Sequence, residues 1–242
     1  VEAYHAAVCA VAESLPRYRF EFVCVDDGST DATLERLVAL TESDERVRVV
    51  ELSRNFGKEP ALTAALDAAL GDAVVPMDAD LQDPPELIPE MLARWEEGAD
   101  VVLAHRADRS SDAFMKRVTA DLFYRWHALL SDVKIPDNVG DFRLMDRRVV
   151  EALKLLPERQ RFMKGLFAWV GFRTVMVEYA RRPRTTGATS FSGWKLWNFA
   201  LEGFTSFSVT PLKAWTYVGC VCALLTFSYA LFIVARTLIK CV

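Results

Sequence analysis

Apolar and polar positions come in alternating blocks along the first hundred or so residues. Residues 1–15 carry a helical pattern. Residues 20–25 (FEFVCV) form an apolar run that stops in the cluster Asp26-Asp27-Gly28-Ser29-Thr30-Asp31, which reads as strand, turn and helix start. The same reasoning predicts a helix over 33–40, a strand over 47–52, a helix over 61–70, a strand over 73–77, a helix over 86–95 and an extended segment over 100–105. Strands and helices alternating at these lengths argue for βαβ units: an α/β class with a mostly parallel sheet flanked by helices. In such sheets ligands bind beyond the carboxyl ends of the strands. The polar clusters Asp26-Asp27, Arg54-Asn55, Asp78-Ala79-Asp80 and Arg106 sit at those ends. Beyond Asp112 the pattern turns helical through Leu130, a loop carries Gly140-Asp141-Phe142-Arg143, helices resume through Trp169, and residues 172–179 read as a strand.

The apolar content is skewed toward the C-terminus. Residues 214–235 hold no charged side chain, and as a helix rising about 1.5 Å per residue they would cross a hydrocarbon layer of about 30 Å. Just before them, residues 192–207 (SGWKLWNFALEGFTSF) are rich in Trp and Phe, which fits a helix lying in the membrane interface. The expected organisation is a catalytic domain over 1–191, a juxtamembrane amphipathic helix over 192–213 and a transmembrane helix over 214–238. Charges flank both ends of the span, with Lys195 and Lys213 before it and Arg236 and Lys240 after, so the positive-inside rule does not decide orientation. A net charge of −4 with scattered Lys and Arg argues against a nucleic-acid partner. The five cysteines show neither a C-x-x-C pair nor disulfide-scaffold spacing, and reduced thiols in a cytosol-facing domain account for them. The chain opens on Val1 and runs directly into a helical pattern, so a preceding segment is expected.

Two candidate sites emerge from these strand ends. In Asp78-Ala79-Asp80, backbone alternation at the end of an apolar strand sends both carboxylates to one side. Carboxylates held together repel unless a cation lies between them, and hard oxygen ligands favour Mg²⁺ or Mn²⁺, with a diphosphate completing the shell. Gln82, two residues on, is expected to be within reach of the same cation. Asp83, Pro84 and Glu86 read instead as the N-cap, first position and capping box of the next helix. In the first cluster, Gly28 makes the turn and Ser29 or Thr30 caps a helix. Two adjacent aspartates are left over, and a carboxylate there can accept bonds from a nucleobase N–H or a ribose hydroxyl; the role is favoured for Asp27, less so for Asp26.

The segments VDDGSTD, RNFGKEPAL, DADLQDPPE, GDFRLMDRRV and R-x-x-G-x-T (from Arg184 to Thr189) occur in this order. Together they resemble the family 2 glycosyltransferases of the Rossmann-like GT-A fold, in the branch that contains dolichol-phosphate mannosyltransferases and bactoprenol-phosphate glucosyltransferases. The likeness covers nearly the whole chain. It implies that Asp26 and Asp27 face the nucleoside, while Asp78, Asp80 and Gln82 surround a metal and the diphosphate. It makes Asp141 the match to the catalytic base, with Arg143 beside it. It gives Arg161 and Arg184 a role in holding phosphate, here assigned to the acceptor. Lys58 is a candidate diphosphate contact or a solvated loop charge. The implied activity is inverting transfer of a sugar from a UDP- or GDP-linked donor to a polyprenyl phosphate, at the cytosolic face of the cytoplasmic membrane; a homo-oligomer is compatible with it.

The chain departs from the family pattern in lacking the opening strand with its P-x-(Y/F)-N-E type motif, in stopping before a second membrane helix, and in having no Lys in Ala188-Thr189-Ser190-Phe191. Rival readings are a processive polysaccharide synthase, which the absent Q-x-x-R-W signature disfavours, a phospho-receiver domain, and a non-catalytic membrane scaffold. A phosphate monoester has a second pKa of about 6, so the acceptor is already largely a dianion at neutral pH; this weakens the case for Asp141 as an obligatory base and makes positioning of the acceptor, through Arg143, an equally good role.

Overall fold

The computed structural model describes residues 1–106, 139–158, 161, 163–179 and 210–240. The described elements are α1 (Glu2–Glu13), β1 (Phe22–Asp26), α2 (Thr33–Ser43), β2 (Val47–Glu51), α3 (Lys58–Ala68), β3 (Ala73–Val74), a 3₁₀ turn (Pro85–Leu87), α4 (Ile88–Glu96), β4 (Val101–Arg106), β5 (Val139–Asp146), α5 (Arg147–Lys154), α6 (Met163–Trp169), β6 (Thr174–Tyr179) and α7 (Thr210–Lys240). Strand and helix alternate as the apolar blocks predict, and the α/β class holds. The strands form a parallel pair, β1-β2, and a four-stranded sheet in the order β3-β5-β4-β6. In the larger sheet β4 and β6 are parallel, and β5 runs antiparallel to both β3 and β4.

The main correction concerns β5, expected as a loop around Gly140 to Arg143. It pairs Leu144 with Val102 and Arg143 with Leu103. The segment does not alternate in sequence because both of its faces are covered. Phe142 and Leu144 pack with Val102, Ala104, Val177 and Tyr179 against Ile88, Met91 and Leu92 of α4. Val139 and Met145 pack with Val101 and Leu103 against Val149, Val150 and Leu153 of α5, Met163, Leu166 and Phe167 of α6, and Leu66 of α3. Met91, Leu144, Met145 and Met163 have no exposed surface, and each such side chain contributes about 1.5–3 kcal/mol of apolar burial. β5 therefore lies at the centre of the body, and its odd-numbered polar residues Asp141 and Arg143 are built into the second of these layers.

Smaller differences have local causes. β3 stops at Val74 rather than Met77, and Pro76 has no N–H to extend the ladder. α3 starts at Lys58 rather than Ala61, because Pro60 falls in the first turn, where its missing N–H costs nothing. α4 begins at Ile88 after the 3₁₀ turn, with Pro84 in the position before that turn and no side-chain cap. Asp83 is thus not the cap the sequence suggests. It is 6% exposed and accepts a 2.7 Å hydrogen bond from the hydroxyl of Tyr179 on β6. Residues 215–239 of α7 are long and apolar enough to cross a membrane by length and composition, and their side chains are exposed. The expected helices over 112–130 and 192–207 lie outside the described residues.

Candidate functional site

β1 delivers Asp26 and Asp27 to the first turn, and the two carboxylates have different surroundings. Asp27 accepts the backbone N–H of Phe56 at 2.7 Å on one oxygen and that of Gly57 at 2.8 Å on the other. It clamps the loop that follows β2. Asp26 is 3% exposed; its Oδ2 accepts the N–H of Ser29 at 3.0 Å, while its Oδ1 is buried without a hydrogen-bond partner. A buried carboxylate oxygen left in that state costs free energy unless a donor reaches it, which fits a ligand N–H or O–H. Gly28 sits at φ +65° against Arg54, as a turn glycine must. The helix cap expected from Ser29 or Thr30 is absent: α2 has Ala32 at its N-cap, and Asp31 accepts the Thr33 N–H at 3.0 Å instead.

Asp78 and Asp80 lie on the turn beyond β3, so strand alternation does not set their directions. The turn is tight. Asp80 Oδ1 accepts the N–H of Gln82 at 3.0 Å, and Leu81 between them takes φ 57°. A left-handed Leu costs of order 1–3 kcal/mol and persists where surrounding structure enforces it, often at ligand sites. Tyr4 of α1 lies close by, and burial, then Cys24, Asp78 and Asp83, push its phenol above the ordinary range.

The two halves of the site meet at Lys58, the first residue of α3. Its Nζ lies 2.8 Å from Asp78 Oδ2 and 2.7 Å from Asp141 Oδ2. Burial disfavours the ammonium, but Asp141 and Asp78 more than offset this and raise its pKa. Burial likewise disfavours the Asp141 carboxylate, and Lys58 with Lys164 and Arg143 brings it below the usual carboxylate value. Lys58 is thus an ion-paired helix residue rather than a solvated loop charge.

Behind Asp141 stands a buried cationic wall. Arg143 is 5% exposed, lies 3.9 Å over the ring of Phe167, donates to Gly140 O at 2.7 Å, and has a buried Nε without a partner. Burial lowers its pKa to about 10, against the pull of Asp141. Lys164 of α6 is lowered by burial in the same way. Glu59 accepts the N–H of Met163 at 3.1 Å, and burial, with Asp141 adding to it, raises its carboxyl to about 7. Tyr4 and Lys164 fall in none of the motif segments, and Glu59, within RNFGKEPAL, draws no role from it; the folding of α1, α3 and α6 brings them here.

The donor set around Asp78 and Asp80 fits a hard divalent cation. Carboxylate oxygens suit Mg²⁺ or Mn²⁺, and Lys58 shows that this corner already gathers positive charge between its carboxylates. Arg161 is described at the edge of α6, where it donates to Leu156 O at 2.9 Å and Glu158 O at 3.3 Å. Arg184 lies outside the described residues. A separate group, His5, Cys9 and Asp44, holds His5 Nε2 and Cys9 Sγ 3.0 and 3.7 Å from Asp44 Oδ2. Arg46 donates to Asp44 at 2.8 Å and to Cys9 at 3.3 Å, so that cluster already holds a cation of its own.

The family model described as "Glycosyl transferase family 2" matches residues 4–154. An uncharacterized glycosyltransferase of Synechocystis sp. is 53% identical over 219 residues, covering 90% of this chain and 69% of that protein. A prophage bactoprenol glucosyl transferase homolog of Escherichia coli is 54% identical over 227 residues, covering 94% of this chain and 74% of the relative. A bactoprenol glucosyl transferase of Shigella phage SfV matches to the same extent.

Proposed function

The chain belongs to glycosyl transferase family 2, and from that premise we propose that it moves a glucosyl residue from a nucleotide-sugar to a polyprenyl phosphate with the help of Mg²⁺ or Mn²⁺. The observation that carries the reading is the meeting of Asp78 and Asp141 at one ammonium group, Lys58 Nζ, at 2.8 and 2.7 Å. One carboxylate from the turn beyond β3 and one from β5 converge there, one for the donor and one for the acceptor. The bactoprenol glucosyl transferases among the relatives support the choice of sugar and lipid.

In this reading Asp26 Oδ1 receives a donor from the nucleoside, and Asp27 acts through the loop it clamps. Asp78, Asp80 and Gln82 would hold the metal, which supplies charge stabilisation to the departing diphosphate. Asp141, kept ionised by Lys58, orients the acceptor. Little deprotonation is needed, because a phosphate monoester is largely a dianion at neutral pH with a second pKa of about 6. Arg143 and the arginines at 161 and 184 supply positive charge for donor or acceptor phosphate, guanidinium being suited to two parallel bonds. The apolar side chains of residues 215–239 would anchor the body at the membrane where the lipid resides, with the catalytic domain on the cytosolic side. Thermal unfolding of the complete protein with Mn²⁺ tests the donor half. A rise in Tm with a nucleotide-linked glucose such as UDP-glucose supports it, and no rise with any nucleotide-linked glucose contradicts it.

A further inference from the structure

Lys58 is in contact with one carboxylate of the D-x-D turn and with Asp141 at the same time. Asp78, whose Oδ2 lies 2.8 Å from the ammonium, is also one of the carboxylates that would hold a metal at this turn. A carboxylate oxygen can face both cations only if they sit within a few ångströms of each other, where like charges repel by several kcal/mol even at an effective dielectric of about 20. We propose that Lys58 is an internal competitor for the metal: it occupies Asp78 when the metal is absent and swings onto Asp141 alone when the metal is bound. The inference rests on the metal reading of Asp78 and Asp80.

The geometry makes the exchange short. Lys58 already holds its second partner, Asp141, at 2.7 Å, so leaving Asp78 costs one ion pair and does not strand the ammonium. Its side chain is 49% exposed and that of Asp78 is 40% exposed, whereas that of Asp141 is 17% exposed. The Lys58–Asp78 contact is therefore the solvent-facing, weaker half of the bridge, and the Lys58–Asp141 contact the sheltered, stronger half. Lys58 is a positioning residue in this scheme. Metal loading tightens its hold on Asp141, which links the donor side of the site to the acceptor side without a moving domain.

The test measures Mn²⁺ binding to the complete protein in detergent, without nucleotide, by titration calorimetry and by the loss of free-ion electron paramagnetic resonance signal. The portion lost in Asp80→Asn defines the site. Lys58→Gln is expected to bind Mn²⁺ about tenfold or more tightly than wild type, because the competing charge is gone. Asp141→Asn is expected to bind several-fold more weakly, because Lys58 then has only Asp78 to hold. If Lys58→Gln does not fold, Asp141→Asn decides the question alone. Unchanged or weaker Mn²⁺ binding in Lys58→Gln, or unchanged binding in Asp141→Asn, overturns the proposal. Wild-type protein that binds no Mn²⁺ removes the metal reading itself, a failure distinct from wild-type binding that is indifferent to Lys58.

Discussion

The hydroxyl of Tyr179, at the end of β6, donates a 2.7 Å hydrogen bond to Asp83, in the turn before α4. Both residues are buried, at 6% exposure each, and the bond ties the edge strand of the larger sheet to the turn that carries Asp78 and Asp80. Tyr179→Phe keeps the ring and removes the donor. A buried carboxylate that loses one donor should cost about 1–3 kcal/mol, read as a lower midpoint in denaturant with an unchanged slope. A midpoint within error of wild type would show that the bond carries no net stability.

Gly28 makes a second link of the same kind. A Cβ added there would stand 2.5 Å from the carbonyl carbon of Arg54 and 2.6 Å from the nitrogen of Asn55, on a backbone already at φ +65°. Gly28→Ala must therefore push apart the first turn and the loop that Asp27 clamps. The strain of a non-glycine residue at positive φ is of order 1 kcal/mol or more, and the backbone clash adds to it. The variant should unfold at lower temperature and bind nucleotide-sugar more weakly; unchanged stability would show that the two loops are not locked together.

The strand β1 and its acidic end were legible because Phe22-Val23-Cys24-Val25 is an apolar run that stops at Asp26-Asp27. β5 was not, because a buried charge breaks the rule that the reading depends on. Arg143 faces the core beneath Phe167 at 3.9 Å, so polar residues fall where alternation calls for apolar ones. The D-x-D could be named from sequence, yet its partner Lys58 could not be tied to Asp141, since the linear sequence carries no trace of a contact between α3 and β5. Asp83 looked like a helix cap because Pro84 and Glu86 follow it. Folding instead set it against Tyr179, far along the chain.

Glu59 makes stability respond to pH. Its carboxyl is raised from 4.5 to about 7 by burial, then by Asp141, against the opposing Met163 N–H, Lys58 and Lys164. Between those two values the folded protein binds more protons than the unfolded chain, so this group's contribution to stability falls as pH rises through the window. Glu59→Gln keeps an acceptor for the Met163 N–H and removes the titration. The variant's Tm relative to wild type should therefore rise between pH 4.5 and pH 7.5. A gap that stays constant across that range contradicts the assignment.

Transfer itself is the central claim. Membranes containing the complete protein, supplied with polyprenyl phosphate, Mn²⁺ and nucleotide-sugar labelled in the glucose, should convert label into a lipid-extractable, mild-acid-labile product. Asp80→Asn should lower that conversion by at least a hundredfold while leaving the unfolding midpoint in place. Label that stays water-soluble with the wild-type protein, or reaches lipid equally well with Asp80→Asn, would contradict the assignment of this chain as a metal-assisted polyprenyl-phosphate glycosyltransferase.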